Sequence, residues 1–184
     1  SDLDTAINNL SWPLAGAAIY FIDDLALNDT SGLNDNTWCG DGKVVAMFPD
    51  ADGDVIQLSR GGVDTGANWS QVDEVPPNGD TDYVYSTGSG LYDFYQFTSG
   101  SSVVPSGSTI SRVWVESRSR EVSADGDSIQ LGIRSSGSDS WSPDIPVTTA
   151  YSVYAGNQML VNPITSAAWS ITDLDNLQAG VKVV

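Results

Sequence analysis

The feature that most constrains this chain is its rhythm: short apolar runs, few longer than eight residues, each closed by a cluster of Gly, Ser, Asp, Asn or Thr. Turn residues at such close spacing leave no room for helices of ordinary length, so the pattern specifies many strands joined by turns. The expected fold class is all-β, an antiparallel two-sheet β-sandwich or jelly-roll-like body with one short C-terminal helix. Alternation from Ala18 to Leu27 places Ile19, Phe21, Leu25 and Leu27 on one face, interrupted by Asp23. Lys43 to Phe48 reads as a compact buried strand. Further strands are expected at Val55–Leu58, Asp82–Ser86, Leu91–Phe97, Thr109–Arg118, Ser128–Arg134, Thr148–Tyr154, Gln158–Val161 and Val181–Val184.

The best-defined unit is an expected hairpin from Thr109 to Arg134, turning at Ser123-Ala124-Asp125-Gly126-Asp127, where Asp-Gly supplies left-handed backbone. The expected helix runs from Asp173 to Ala179, capped by Thr172 and closed by Gly180. Residues 61–80, with Pro76, Pro77 and Asn78-Gly79, form the longest apparent loop. The expected division is therefore an N-terminal strand-bearing arm over 1–60, a linker over 61–80 and a main sandwich over 81–184. The octapeptide Ala51-Asp52-Gly53-Asp54-Val55-Ile56-Gln57-Leu58 recurs in outline at Ala124-Asp125-Gly126-Asp127-Ser128-Ile129-Gln130-Leu131. Both copies read as turn then strand; the flanks do not match, which favours shared turn chemistry over duplication.

Charge narrows the partners. Of the 184 residues 24 are acidic and 7 basic, a net charge of −17, which repels phosphate backbones and anionic headgroups. Neither nucleic acid nor membrane is an expected partner. No apolar run approaches the roughly 18 residues that span a bilayer, and the first residues lack a signal-peptide profile. The start at Ser1-Asp2 reads as the loss of an initiator or leader, or as the ordered or processed part of a longer polypeptide, with the second favoured. Cys39 is the only cysteine, so an intrachain disulfide is excluded and the apolar 40% must carry stability.

The chain contains no histidine, which removes Ser-His-Asp and Cys-His nucleophile systems, most catalytic zinc sites and the commonest neutral-pH base. A carboxylate pair of glycosidase type or a lysine-activated serine at Lys43 or Lys182 remains, with no spacing signature to support either. The expectation is a protein that is not an enzyme, with no cofactor other than calcium. Asp50, Asp52 and Asp54 are the calcium candidates, with Asp125 and Asp127 of the same type, although Gly53 and the lack of a closing glutamate depart from the EF-hand pattern. Solvated turn residues are the simpler reading. The triplets Asn9-Leu10-Ser11, Asn28-Asp29-Thr30 and Asn68-Trp69-Ser70 match the glycosylation sequon and carry no functional weight here.

Aromatic and arginine residues supply the binding candidates. Trp38, Trp69 and Trp141, in polar surroundings, form a candidate glycan platform, against the alternative that such rings plug the ends of the sandwich. Arg112, Arg118, Arg120 and Arg134 are four of the seven basic residues and all fall in the expected hairpin beside Trp114. They read as an interface for an acidic surface, with Tyr20 and Phe21 as a second interface element; the competing reading pairs the arginines with Glu116 and Glu121.

The succession Tyr20-Phe21-Ile22-Asp23-Asp24, Asn28-Asp29-Thr30-Ser31-Gly32, Gly40-Asp41-Gly42-Lys43-Val44, Val72-Asp73-Glu74, Asp80-Thr81-Asp82-Tyr83-Val84, Arg134-Ser135-Ser136-Gly137, Ala168-Trp169 and Leu177-Gln178-Ala179-Gly180-Val181-Lys182-Val183 resembles a module of tailed-bacteriophage structural proteins. In longer proteins of that kind the Tyr-Phe-Ile-Asp-Asp strand closes an upstream concanavalin-like jelly roll. The resemblance implies a virion protein on the particle surface that joins copies of itself and other virion proteins, as a capsid decoration or accessory protein. A tail fibre or receptor-binding protein is the second reading of the same resemblance. A carbohydrate-binding module of a secreted or host-directed protein, with a host-surface glycan as ligand, is the reading from a different class.

Overall fold

The computed structural model describes residues 42–63 and 65–184. The strand expected at Ala18–Leu27, the interface residues Tyr20 and Phe21, and Trp38 lie outside the described residues. Among those described, the fold is all-β and every strand pairing is antiparallel.

The main sheet contains β1 (Pro49–Ile56), β4 (Tyr92–Phe97), β10 (Gln178–Val183), β6 (Ser128–Ser135) and β7 (Ser138–Trp141), side by side in that order. A short β8 (Ile145–Pro146) adds to the start of β6. Two ribbons stand apart: β2 (Ser59–Gly62) with β3 (Asp82–Tyr85), and β5 (Glu116–Ser119) with β9 (Ser152–Ala155). Two short α-helices, α1 (Gly100–Val103) and α2 (Ile171–Asp175), complete the described residues.

Alternation decides which face is inward. Ile129, Leu131 and Ile133 on β6, with Ala179 and Val181 on β10, point to one side. Val113, Val115, Tyr154 and Met159, from the β5–β9 ribbon and its continuation, cover that side together with Trp169 and Leu174. The result is a two-layer body in which each large buried apolar side chain contributes about 1.5–3 kcal/mol. The ribbon continues past β5 through a bridge between Val113 and Met159, and the Trp169 indole N–H donates to the Met159 carbonyl at 2.8 Å.

Several expectations are corrected. The Thr109–Arg134 segment is not a hairpin: β5 pairs with β9, whereas β6 joins the main sheet, so the Ser123–Asp127 turn carries the chain between layers. Gly126 still takes the positive φ that Asp-Gly implies. Face-to-face packing buries Val115 against Ile129 and Leu131, which edge pairing would not achieve. The tight hairpin is β6–β7, turning on Ser136 and Gly137, both at positive φ.

The octapeptide resemblance has no structural counterpart. Its first copy runs along most of β1, with register shifts against β4, and past its end to Leu58, whereas its second copy is the interlayer turn and the start of β6. Gly53 is required at the shift because a Cβ there would stand 2.5 Å from the Phe94 carbonyl oxygen. Lys43–Phe48 forms no strand, and Val44 is 73% exposed. Because β1 belongs to the same sheet as β4, β6 and β10, the proposed boundary at residue 60 does not hold; Val45–Val184 is one unit.

The C-terminal helix is shorter than expected, and its cap is Ser170, not Thr172. Ser170 Oγ accepts from the Asp173 N–H at 3.1 Å while an Asp173 carboxylate oxygen accepts from the Ser170 N–H at 2.8 Å, a reciprocal capping box. Gly180 does not end a helix but sits in the middle of β10.

Candidate functional site

The outward face of the β5–β9 ribbon gathers the basic and aromatic residues. Its register sets Glu116 opposite Ala155 and Arg118 opposite Val153, while Ser117 faces Tyr154 on the core side. Arg118 and Val153 therefore share the outer surface, where Val153 is 65% exposed. Just beyond the strands, the Tyr151 ring lies close to two guanidinium groups, with Arg118 4.4 Å and Arg120 5.0 Å from its centroid. The Tyr151 hydroxyl donates to Asp80 at 2.8 Å, and Arg120 pairs with the same oxygen at 2.9 Å. One carboxylate thus fixes the aromatic ring and one of its cations. The Trp114 indole N–H donates to Glu116 at 2.7 Å, tying a half-buried ring to the same strand.

The electrostatics of Asp80 follow from these partners. The Tyr151 hydroxyl first, and the Arg120 guanidinium second, hold its carboxyl below the usual carboxylate range. Burial raises the Tyr151 hydroxyl, so it remains a donor. A carboxyl whose folded value is depressed adds stability that is present above its unfolded value and lost as pH falls through the folded one. The Asp80 tie should therefore survive mild acid. In an NMR titration the Asp80 carboxyl should show a midpoint below that of an aspartate in an unfolded peptide; a midpoint at or above it would show that the tie is absent in solution.

Among the interface candidates, Trp114, Arg118 and Arg120 come together on this ribbon. Arg112 lies further along the same strand direction, donating to Gln158 at 2.6 Å. Arg134 does not belong with them: on the outward side of the main sheet, its side chain is held by Asp54 at 3.2 Å and by Asp139. The partners Glu116 and Glu121 that local pairing suggested are not the ones used; among the described residues the ion pairs go to Asp80, Asp54 and Asp139. Tyr151, Val153 and Asp80 were not anticipated as site residues. Tyr151 falls at strand spacing with Val153, but nothing local in the sequence marks Asp80 as its partner.

The calcium candidates are separated. Asp52, opposite Tyr95, accepts from the Trp69 backbone N–H at 2.9 Å, Asp54 is turned to Arg134 on the other face, and Asp50 is exposed. The shift in register within β1 divides them. Among the described residues, Glu121, Asp125 and Asp127 instead bring three carboxylates within 4.8 Å of one another. Calcium takes about six to eight oxygens, and here one Glu121 oxygen is already engaged by the backbone N–H groups of Gly126 at 3.3 Å and Asp127 at 3.1 Å. Three carboxylates so placed supply part of a coordination shell.

The tryptophan platform is also divided. Trp69 is half-buried in a 3-10 turn with its backbone bound to Asp52, and Trp141 lies on β7 in the outward face of the main sheet. No helix among the described residues is long and apolar enough to cross a membrane. Compared with protein-family models, curated proteins and solved structures, the chain matches none.

Proposed function

We propose that this chain is a bacteriophage virion structural protein, of capsid-decoration or accessory type, that works by joining copies of itself at the particle surface rather than by turnover. One observation carries the reading: a basic and aromatic face built on a two-stranded ribbon in a chain of net charge −17. Among the described residues, β5 and β9 pair regularly only with each other, so each strand keeps one edge without a strand partner. Arg118 and Arg120 meet the acidic surface of a second copy by charge complementarity, and Val153 supplies exposed apolar area between them and Ala155. The arrangement suits edge pairing or face packing, with the chain's acidic remainder toward the medium.

Other support is chemical. With no histidine, nucleophile activation of the common kinds is closed to the chain. The resemblance to tailed-phage structural modules supplies the virion context, and a tail-fibre or receptor-binding part would use the same ribbon.

Sedimentation velocity tests the association. The wild-type chain should form a reversible oligomer that weakens as salt is raised, because exposed charge pairs are screened over about 8–10 Å at moderate ionic strength. Arg118→Glu with Arg120→Glu should shift the species to monomer, weakening association by about a hundredfold or more. A wild-type chain that stays monomeric at high concentration, or a double variant that associates as before, counts against the proposal.

A further inference from the structure

The outward face of the main sheet carries a second arrangement, independent of the ribbon. Strand register aligns Phe94, Gly180, Gly132 and Trp141 in one row across β4, β10, β6 and β7. Two glycines on neighbouring central strands leave a bare strip of backbone, and the rings at its ends lie down over it. A Cβ at Gly180 would stand 2.9 Å from the Phe94 ring, and one at Gly132 would overlap the Trp141 ring. Phe94 and Trp141 have centroids 4.9 Å apart and planes tilted by 31°, while Tyr92 meets them edge-on at 5.6 and 5.4 Å. Phe94 is fully buried, whereas Tyr92 and Trp141 are half-buried and reach the surface.

Hydrogen-bond donors surround this aromatic floor. The adjacent row contains Tyr92, Lys182 and Gln130. Lys182 Nζ lies 5.1 Å from the Trp141 centroid, and no ion pair holds it among the described residues, unlike Arg134 in the opposite row. Gln130 donates to Asp144 at 2.8 Å, but its carbonyl oxygen has no partner. Among the described residues neither the Trp141 indole N–H nor the Tyr92 hydroxyl bonds to a protein group.

An apolar floor bordered by donors matches a pyranose ring, which presents a C–H face to stack and hydroxyls to accept. Charge decides which pyranose. Lys182 and Arg134 are outnumbered on this face by Asp54, Asp139 and Asp144, and the whole chain is strongly anionic, so a uronic or sialic acid meets repulsion. We propose that this face binds an uncharged saccharide, with one pyranose ring stacked on Trp141 and bordered by the Tyr92 ring, and its hydroxyls bonded by Lys182 and the two aromatic donors. Binding moves the Lys182 ammonium from the Trp141 ring to a sugar hydroxyl, which changes the indole's surroundings.

A glycan array of neutral and acidic saccharides, followed by tryptophan-fluorescence titration with the best trisaccharide retained, tests the site. The proposal expects a neutral glycan to be retained and the fluorescence to change on binding. Trp141→Ala should weaken affinity by about tenfold or more, and Lys182→Met by about threefold to tenfold, with Trp69→Ala unchanged. Should the Trp141 variant fail to fold, Lys182→Met and Tyr92→Phe carry the test, since neither removes a ring from the floor. Absence of any retained neutral glycan, preference for acidic glycans, or undiminished affinity in both of those variants overturns it.

Discussion

Asp93→Ala is expected to destabilise the fold by about 3–5 kcal/mol, measured by urea unfolding followed by circular dichroism. Asp93 is fully buried in β4, where burying an anion is costly unless every lone pair finds a donor. Here the donors are present. The backbone N–H groups of Gln57 and Leu58 reach one oxygen at 2.6 and 2.7 Å, and the Asn68 amide and Tyr95 hydroxyl reach the other at 2.7 and 2.9 Å. One carboxylate thereby ties the corner between β1 and β2, the turn carrying Asn68 and the floor of β4. Alanine leaves all these donors without their acceptor in a closed space, which costs more than the net contribution of the bonds themselves. Burial, and next the Asp93 charge, push the Tyr95 hydroxyl well above its ordinary range, so it donates at any pH the fold survives. Tyr95→Phe removes one donor and keeps the ring; a loss of about 1–2 kcal/mol is expected. Equal losses in the two variants would mean that the network is not centred on the carboxylate.

Gly180→Ala is expected to cost about 3 kcal/mol or to prevent soluble folding, as seen in the thermal unfolding midpoint and in expression. The reason is space, since Gly180 does not adopt a positive φ. An added Cβ would overlap the Asp93 carbonyl oxygen and stand 2.9 Å from the Phe94 ring, so a central strand pairing would have to open. Gly88→Ala is the control: its Cβ would meet only Leu91, at 3.8 Å, and stability should change by less than about 0.5 kcal/mol. If both substitutions are tolerated equally, the close strand approach at Gly180 is not a feature of the protein in solution.

These two residues also show how far the sequence was legible. Alternation at Ile129, Leu131 and Ile133 identified β6 and its inward face, because one buried face imposes period two on the chain. Strands β3, β4 and β6 fall within two residues of their expected bounds for the same reason. Pairing was less legible. Val113 and Val115 alternate as well as β6 does, yet alternation records only that a face is buried, not whether its neighbour lies beside it or above it. The chain therefore reads as a hairpin where two layers meet. Gly180 reads as a helix stop because its local context fits one; the need for glycine comes from Asp93, far away in sequence. A carboxylate inside Tyr92-Asp93-Phe94-Tyr95 was a visible anomaly, an acid at an inward position of an aromatic strand, but three of its four donors come from two other segments, Gln57-Leu58 and Asn68.

The site divides in the same way. Trp114, Arg118 and Arg120 were legible as one face because strand parity alone aligns them, and the structure keeps them together. Arg134 was grouped with them only through the expected hairpin, and it leaves the group because β6 belongs to the other layer. Asp50, Asp52 and Asp54 also share parity, and the irregular register of β1 separates Asp52 from Asp54. Such irregularities depend on the partner strand, so no pattern within the segment records them.

Hydrogen exchange measured across a dilution series tests most directly the claim that the ribbon is where copies join. The amides of β5 and β9 that face away from their mutual pairing should exchange slowly at high protein concentration and quickly on dilution, with the main sheet unchanged. Concentration-independent exchange in both strands of a chain that nonetheless oligomerises would place the contact elsewhere and contradict the account.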